Sequence, residues 1–265
     1  MTPWLPTAVA ALFYSLAFAL QAFEFLQVRR MLKQPLLLLA GLAVAAHGIA
    51  AWHQVFDGEA VNLSLLPLST SIFWVINLIV VLSAIRNPLE NLYLLLFPPT
   101  VAMLFVALAS PQHTREMATV APGLGVHILV SLLSYSLMTI AALQALLLAW
   151  QNRRLHDHQP GGRLRALPPL LTMEMLLFRF LLAGFVLLTA GLLLGLVYVE
   201  DFFTQHLAHK TVFSLVAWVL YAVLLWGHYQ RGWRGRVASY WALGGFGALM
   251  LAFWGTKFVL EILIG

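Results

Sequence analysis

The sequence predicts an all-α polytopic membrane helix bundle of about eight transmembrane helices with both termini outside, and three observations carry that prediction. The first is composition. Of 265 residues, 62% are hydrophobic and 9% charged, against roughly a quarter charged in a soluble domain. A chain of this length cannot bury that much apolar side chain behind a wetted surface, so lipid must solvate much of it. The second is length, because apolar runs of about 20 residues fill the chain and leave only short links. The third is the position of the charges, which gather in loops at alternate ends of the runs.

In order, the apolar runs cover 5–27, 35–55, 64–85, 89–109, 124–151, 173–199, 211–229 and 238–263. Together they predict a single integral membrane domain over 1–265. The first run lacks a basic leader and a clear small-residue cleavage site, which predicts a retained helix. Turn-forming residues separate the later runs: Asp57-Gly58, Pro111-Gln112-His113, Gly161-Gly162 with Pro168-Pro169, and Gly232 to Gly235. No internal repeat relates the two halves, which weakens a transporter built from inverted repeats.

Charge sets the expected orientation. Arg29, Arg30, Lys33, Arg86, Arg153, Arg154, Arg163, Arg165, Arg231, Arg234 and Arg236 fall in the four odd loops, 11 of the 15 Lys and Arg. The even loops hold mainly Asp57, Glu59, Glu116, Glu200 and Asp201. By the positive-inside rule the odd loops are cytoplasmic. The net charge of +5 therefore follows from topology, and nucleic acid is excluded as a partner. The chain has no cysteine, so it has no thiolate metal site and no covalent haem attachment motif. The longest inner loop, roughly 152–170, is too short to be a domain.

Nine histidines stand out in so apolar a chain, and six of them (His47, His53, His113, His127, His206 and His209) fall toward the outer side. His156 and His158 lie in the inner loop, and His228 lies near the inner end of helix seven. An imidazole in hydrocarbon needs partners for its nitrogens, so His47 and His127 are functional candidates by default. The plainer alternative is a hydrogen bond to a neighbouring helix. Paired histidines on different helices hold haem iron, and imidazole also suits zinc or copper. With no cysteine or carboxylate near His47 or His127, zinc is the weaker choice. Glu24, Glu90, Glu174, Arg179, Lys257 and Glu261 lie in or near spans, with interfacial solvation expected for each. At a spacing of five, Glu174 and Arg179 are poorly placed to pair on one helix.

Two stretches carry a family resemblance. Pro122-Gly123-Leu124-Gly125-Val126-His127, followed by Ile128 to Tyr135, opens helix five. Lys210 to Trp218, then Tyr221 and Gly232-Trp233-Arg234-Gly235, runs through helix seven. This pattern resembles the CcsA-like cytochrome c assembly protein superfamily, in particular its small inner-membrane YpjD/HemX-type branch, and the likeness extends along nearly the whole chain. The resemblance implies haem handling near the outer leaflet, with His127 at the position of an outer haem histidine. The chain departs from the fuller pattern in Asp201 to Lys210, where relatives carry a tryptophan-rich segment and this one has no tryptophan. Nor does it have a second outer histidine near its C-terminus, and His228 is displaced by about two residues from a family histidine.

The expectation is therefore a multi-pass protein of the bacterial inner membrane that binds haem b non-covalently between helices. His127 and His47 are the expected axial ligands, with Ser131 as a nearby support and His209 and His228 as further cofactor-binding candidates. Its partners would be the lipid bilayer and haem, with another membrane protein as a further candidate. No nucleophile or acid/base pair emerges, so no enzyme is expected. The rival is a cofactor-free accessory or regulatory subunit of another membrane complex, as the HemX-like relatives suggest. A small-molecule permease is weaker still.

Overall fold

The computed structural model describes residues 4–27, 33–57, 60–109, 117–118, 121–156, 167–198 and 205–255. Among the described residues, eight helices are long and apolar enough to cross a membrane. Their α-helical parts are α1 (Trp4–Gln27), α2 (Lys33–Val55), α3 (Leu65–Ala84), α4 (Tyr93–Ala109), α5 (Pro122–His156), α6 (Leu170–Tyr198), α7 (Gln205–Arg231) and α8 (Gly235–Met250), with the fourth span starting at Glu90 and the eighth ending at Gly255. A 3₁₀ turn, Glu90–Leu92, leads into α4, and a π-helical segment, Leu251–Gly255, follows α8. Many large apolar side chains face outward, Val197 at 71% exposure among them, as helices solvated by lipid require.

Two features of the spans differ from expectation or demand explanation. Span five was expected to end at 151, but α5 continues to His156. Its 35 residues reach about 52 Å at 1.5 Å each, well beyond a ~30 Å hydrocarbon layer. Asn152, Arg153 and Arg154 extend the helix into water, where they cost it little. Pro98 and Pro99 lie inside α4. Membrane helices tolerate such residues because neighbouring groups satisfy the freed carbonyls.

The contacts divide the chain into two compact units. One holds Met1–Thr119 with Pro160–Pro168, and the other Val120–Gln159 with Pro169–Gly265. In the first, α1 packs on α2 and α4, and α3 on α2 and α4, closing a four-helix ring. Loops two and four of this unit pair in a three-stranded antiparallel ladder. Its strands are β1 (Phe56–Asp57), β2 (Ala60–Asn62) and β3 (Met117–Ala118), with Phe56 opposite Val61 and Val61 opposite Ala118. At the opposite end Lys33 meets Glu90 at 2.7 Å and the Asn87 carbonyl at 3.4 Å. The first and third loops therefore share one end, as alternating helices require.

The second unit repeats the arrangement. Its α5 packs most extensively on α6 and also on α8, and α7 packs on both α6 and α8. Met138, Leu177, Leu181, Tyr221 and Leu224 fill the core. Gly232, at φ 67°, adopts the left-handed conformation that favours glycine. That turn lets Trp233 N–H reach back to the Gly227 carbonyl at 3.1 Å, with the Trp233 ring lying directly on Gly227. A Cβ on Gly235 would stand 3.1 Å from Asn152 Nδ2. The α7–α8 turn and the end of α5 thus bring Arg153, Arg154, Arg231, Arg234 and Arg236 to one end of this unit.

Candidate functional site

Residue by residue, the predicted site histidines meet different surroundings. His127 lies five residues into α5, about 7 Å along the helix. Its ring is half-buried, and its Nδ1–H donates to the Gly191 carbonyl of α6 at 2.9 Å. That bond selects the tautomer and leaves Nε2 as the nitrogen with a free lone pair. Its geometry depends on close helix approach. A Cβ on Gly191 would come within 3.3 Å of Ser131 Oγ, and one on Gly123 would run into the Tyr198 ring. One heptad further along α5, Ser134 Oγ donates to the Gly184 carbonyl at 2.9 Å. The pairs His127–Gly191 and Ser134–Gly184 have matching seven-residue spacings on antiparallel helices, which fixes the register of α5 against α6.

Ser131 was expected to support His127, but the group that orients the ring is the Gly191 carbonyl. Ser131 packs against Gly191 instead. A backbone acceptor leaves no signature in side-chain chemistry. Its only trace in the sequence is the small residue that permits the approach. Lys210, at the start of the apolar part of α7, lies close enough to His127 for the two to interact electrostatically. His206 and His209 belong to the first turns of α7 by backbone, and their side chains lie outside the described residues. His113, His158, Lys257 and Glu261 also lie outside them. His53 and His156 are exposed.

Several aromatic side chains of this unit sit deeper than His127. Tyr135 lies eight residues further along α5, about 12 Å below it. Its ring faces Phe246 and Phe253, with centroids 5.9 and 5.7 Å away. Trp218 stacks on Phe185 at 5.5 Å and donates its indole N–H to Thr189 Oγ1 at 2.9 Å. These rings form a packed aromatic layer in the body of the second unit.

His47 is fully buried in the first unit. Its Nδ1 shares a 3.2 Å hydrogen bond with Tyr14 Oη, and the two rings meet edge to face. Tyr14 in turn packs on Phe97, which stacks on Tyr93. The Thr70 backbone approaches the imidazole, but Nε2 forms no well-shaped hydrogen bond among the described residues. Nearby polar pairs went unread in the sequence: Asn77 Nδ2 to Thr100 Oγ1 at 2.8 Å, and Gln21 Nε2 to Asn91 Oδ1 at 3.3 Å.

His228 lies at the basic end of the second unit. Its Nδ1–H donates to the Trp233 carbonyl at 2.9 Å, and its ring stacks on Phe178 with centroids 3.4 Å apart. Beside it, Glu174 Oε1 meets Arg234 Nε at 3.3 Å. Interfacial solvation was the expectation for Glu90 and Glu174; both are ion-paired across helices instead. Among the described residues no three His, Cys, Asp or Glu converge on a common metal position.

The family profile described as "Cytochrome C assembly protein" matches residues 36–264. The chain is 34% identical over 259 residues to the inner membrane protein YpjD of Escherichia coli K12, covering 96% of this chain and 97% of that protein. An uncharacterized 28.8 kDa protein of Azospirillum brasilense is 33% identical over 193 residues, 71% of each chain. The cytochrome c biogenesis protein CcsA of Thermosynechococcus vestitus is 25% identical over 195 residues, 58% of this chain and 61% of its own. No solved structure matches.

Proposed function

Starting from the fact that the chain belongs to the cytochrome c assembly protein family, we propose that it is a multi-pass protein of the bacterial inner membrane that holds haem b non-covalently at the His127 end of its second unit. The role is binding rather than catalysis. One observation carries the reading: the Nδ1–H of His127 is committed to the Gly191 carbonyl. A metal-ligating histidine characteristically donates its other ring N–H to such an acceptor, which fixes the ring and raises its basicity. The residues therefore fit the group. His127 would supply a ring nitrogen to the iron, and the Lys210 ammonium beside it would be a suitable partner for a propionate. When bound, haem would supply the family's cargo chemistry; the chain's residues orient and enclose it.

For a second residue that would hold the iron, two readings have support. His209 belongs to the same unit as His127 and is the immediate neighbour of Lys210, whose charge acts on the His127 ring. His47 offers a buried Nε2 without a well-formed partner, but its ring is enclosed on all sides. The first reading requires no opening of a packed core, so it leads.

The test is the absorption spectrum of full-length protein purified from haem-replete cells. A low-spin bis-imidazole spectrum is expected, and His127→Ala should lose the haem or convert it to high spin. In the leading reading His209→Ala has the same effect and His47→Ala leaves the spectrum intact; the reverse pattern selects His47. A colourless wild-type protein would favour the rival, a cofactor-free accessory subunit. Orientation is tested separately. Reporter fusions after Gln151 or Arg236 should be cytoplasmic and fusions after Glu59 or Asp201 external. An external reporter at Gln151 would move the proposed site to the other leaflet.

A further inference from the structure

At the basic end of the second unit, away from the proposed haem position, a groove of about 420 Å³ runs between α6 and the end of α7. Its polar side is formed by Glu174, Arg179, His228 and Arg234. We propose that this groove binds the headgroup of an anionic phospholipid, with Arg179 and Arg234 holding the phosphate.

Arg179 gives the first reason. It lies nine residues into α6, about 13 Å from the start of the helix. A guanidinium at that depth is costly unless it finds an anion or reaches water. Among the described residues, its side chain has no hydrogen bond or ion pair. It shares a helical stripe with Met175 at i−4 and Leu171 at i−8, so it stands over the groove rather than on the far side of α6.

Arg234 gives the second. One edge of its guanidinium is engaged, with Nε at 3.3 Å from Glu174, yet the side chain is 65% exposed. Its remaining N–H groups can donate to another acceptor in the forked geometry that suits phosphate. Two arginines and one glutamate leave a net single positive charge, which matches the single negative charge of a phosphodiester.

The walls decide the source of that phosphate. Leu171, Met175 and Leu182 line the groove and are 67%, 43% and 41% exposed. They form an apolar strip continuous with the lipid-facing surface of α6, against which an acyl chain can lie. A free phosphate would use none of it. The setting is also suitable, since the same end carries Arg153, Arg154, Arg231 and Arg236, and basic pockets between helices on the cytoplasmic side attract acidic lipid headgroups.

The experiment uses the full-length protein in phosphatidylcholine nanodiscs containing a minor fraction of phosphatidylglycerol, with native mass spectrometry counting retained lipids. Wild type should retain phosphatidylglycerol in preference to phosphatidylcholine. Arg179→Gln and Arg234→Gln should each lower that retention about fivefold, while Arg179→Lys retains most of it. Arg86→Gln, an equally basic position in the other unit, should have no effect. Equal retention in Arg179→Gln and wild type, or no preference between the two lipids, would overturn the assignment. Displacement of the lipid by excess inorganic phosphate would overturn the lipid as the source and leave a phosphate site.

Discussion

His47 and His127 are both intramembrane histidines, both bonded through Nδ1, and both on the even-loop side of their own units. They differ in what holds them. His47 bonds a side chain, Tyr14 Oη, inside a closed ring of four helices and is fully buried. His127 bonds a backbone carbonyl, Gly191, near the end of α5, with its ring half-exposed. A histidine tied into a core of interlocking aromatics acts as a strut. A histidine tied to a carbonyl, with a half-exposed ring, has the arrangement expected of the proposed ligand. The residue type is the same; the partner and the enclosure differ.

The largest effects should fall on the stability of the first unit. His47→Ala removes a packed ring and strands Tyr14 Oη, so haem-free protein should lose on the order of 2–4 kcal/mol. His127→Ala, at a half-exposed position, should cost less than about 1 kcal/mol. Thermal unfolding of both variants in one detergent checks this. Equal losses would erase the distinction between strut and ligand.

Gly191 separates the two histidines further. A Cβ there already crowds Ser131 Oγ at 3.3 Å, so Gly191→Val must push α6 away from α5 and pull the carbonyl from His127. Loss of such a supporting partner typically lowers metal-site affinity about 10- to 100-fold. Haem titration of Gly191→Val should show a loss in that range. Gly184→Ala should show little, because the neighbour it meets is the flexible Met138 side chain. Haem affinity unchanged in Gly191→Val would mean that the carbonyl does not orient the ligand.

Most of the fold was legible in the sequence, because hydropathy and length are what a bilayer selects for. Spans expected at 35–55 and 64–85 appear as Lys33–Val55 and Leu65–Ala84. The division into two four-helix units was not legible, since it depends on which lipid-length helices touch, and all of them are apolar. At the site, His127 was visible as a residue and by its resemblance to a family pattern. Its orienting partner was not, because a glycine carbonyl has no identity in the sequence. Ion pairs such as Lys33 with Glu90 and Glu174 with Arg234 were hidden for a related reason: their partners lie on separate helices, and spacing along one helix is uninformative about them.

A middle-sized effect is expected where α3 crosses α2. Trp74 Nε1 donates to the Val44 carbonyl at 3.0 Å, and this contact lies three residues from His47. Gly48 makes room for it: a Cβ there would stand 2.8 Å from Trp74 Nε1. Gly48→Ala should therefore displace the indole and break the bond, at a cost of about 1–2 kcal/mol. Intrinsic tryptophan emission and unfolding temperature should shift together. A fall in stability without an emission change would place the strain elsewhere in the first unit.

The smallest effect concerns the buried pair Asn77–Thr100. Asn77 Nδ2 reaches Thr100 Oγ1 at 2.8 Å and the Phe73 carbonyl at the same distance, while Thr100 Oγ1 donates to the Leu96 carbonyl at 2.7 Å. Both side chains are fully buried, which suggests a large contribution. The membrane reference state argues otherwise, because each residue can bond to its own helix when the two helices separate, through Phe73 for one and Leu96 for the other. Interhelical hydrogen bonds measured in membrane proteins average about 0.6 kcal/mol for this reason. A double-mutant cycle of Asn77→Leu and Thr100→Val should give a coupling of that size. A coupling above about 2 kcal/mol would show that the first unit is held by its polar pairs, in which case His47 and Tyr14 would be one such pair among several rather than its main strut.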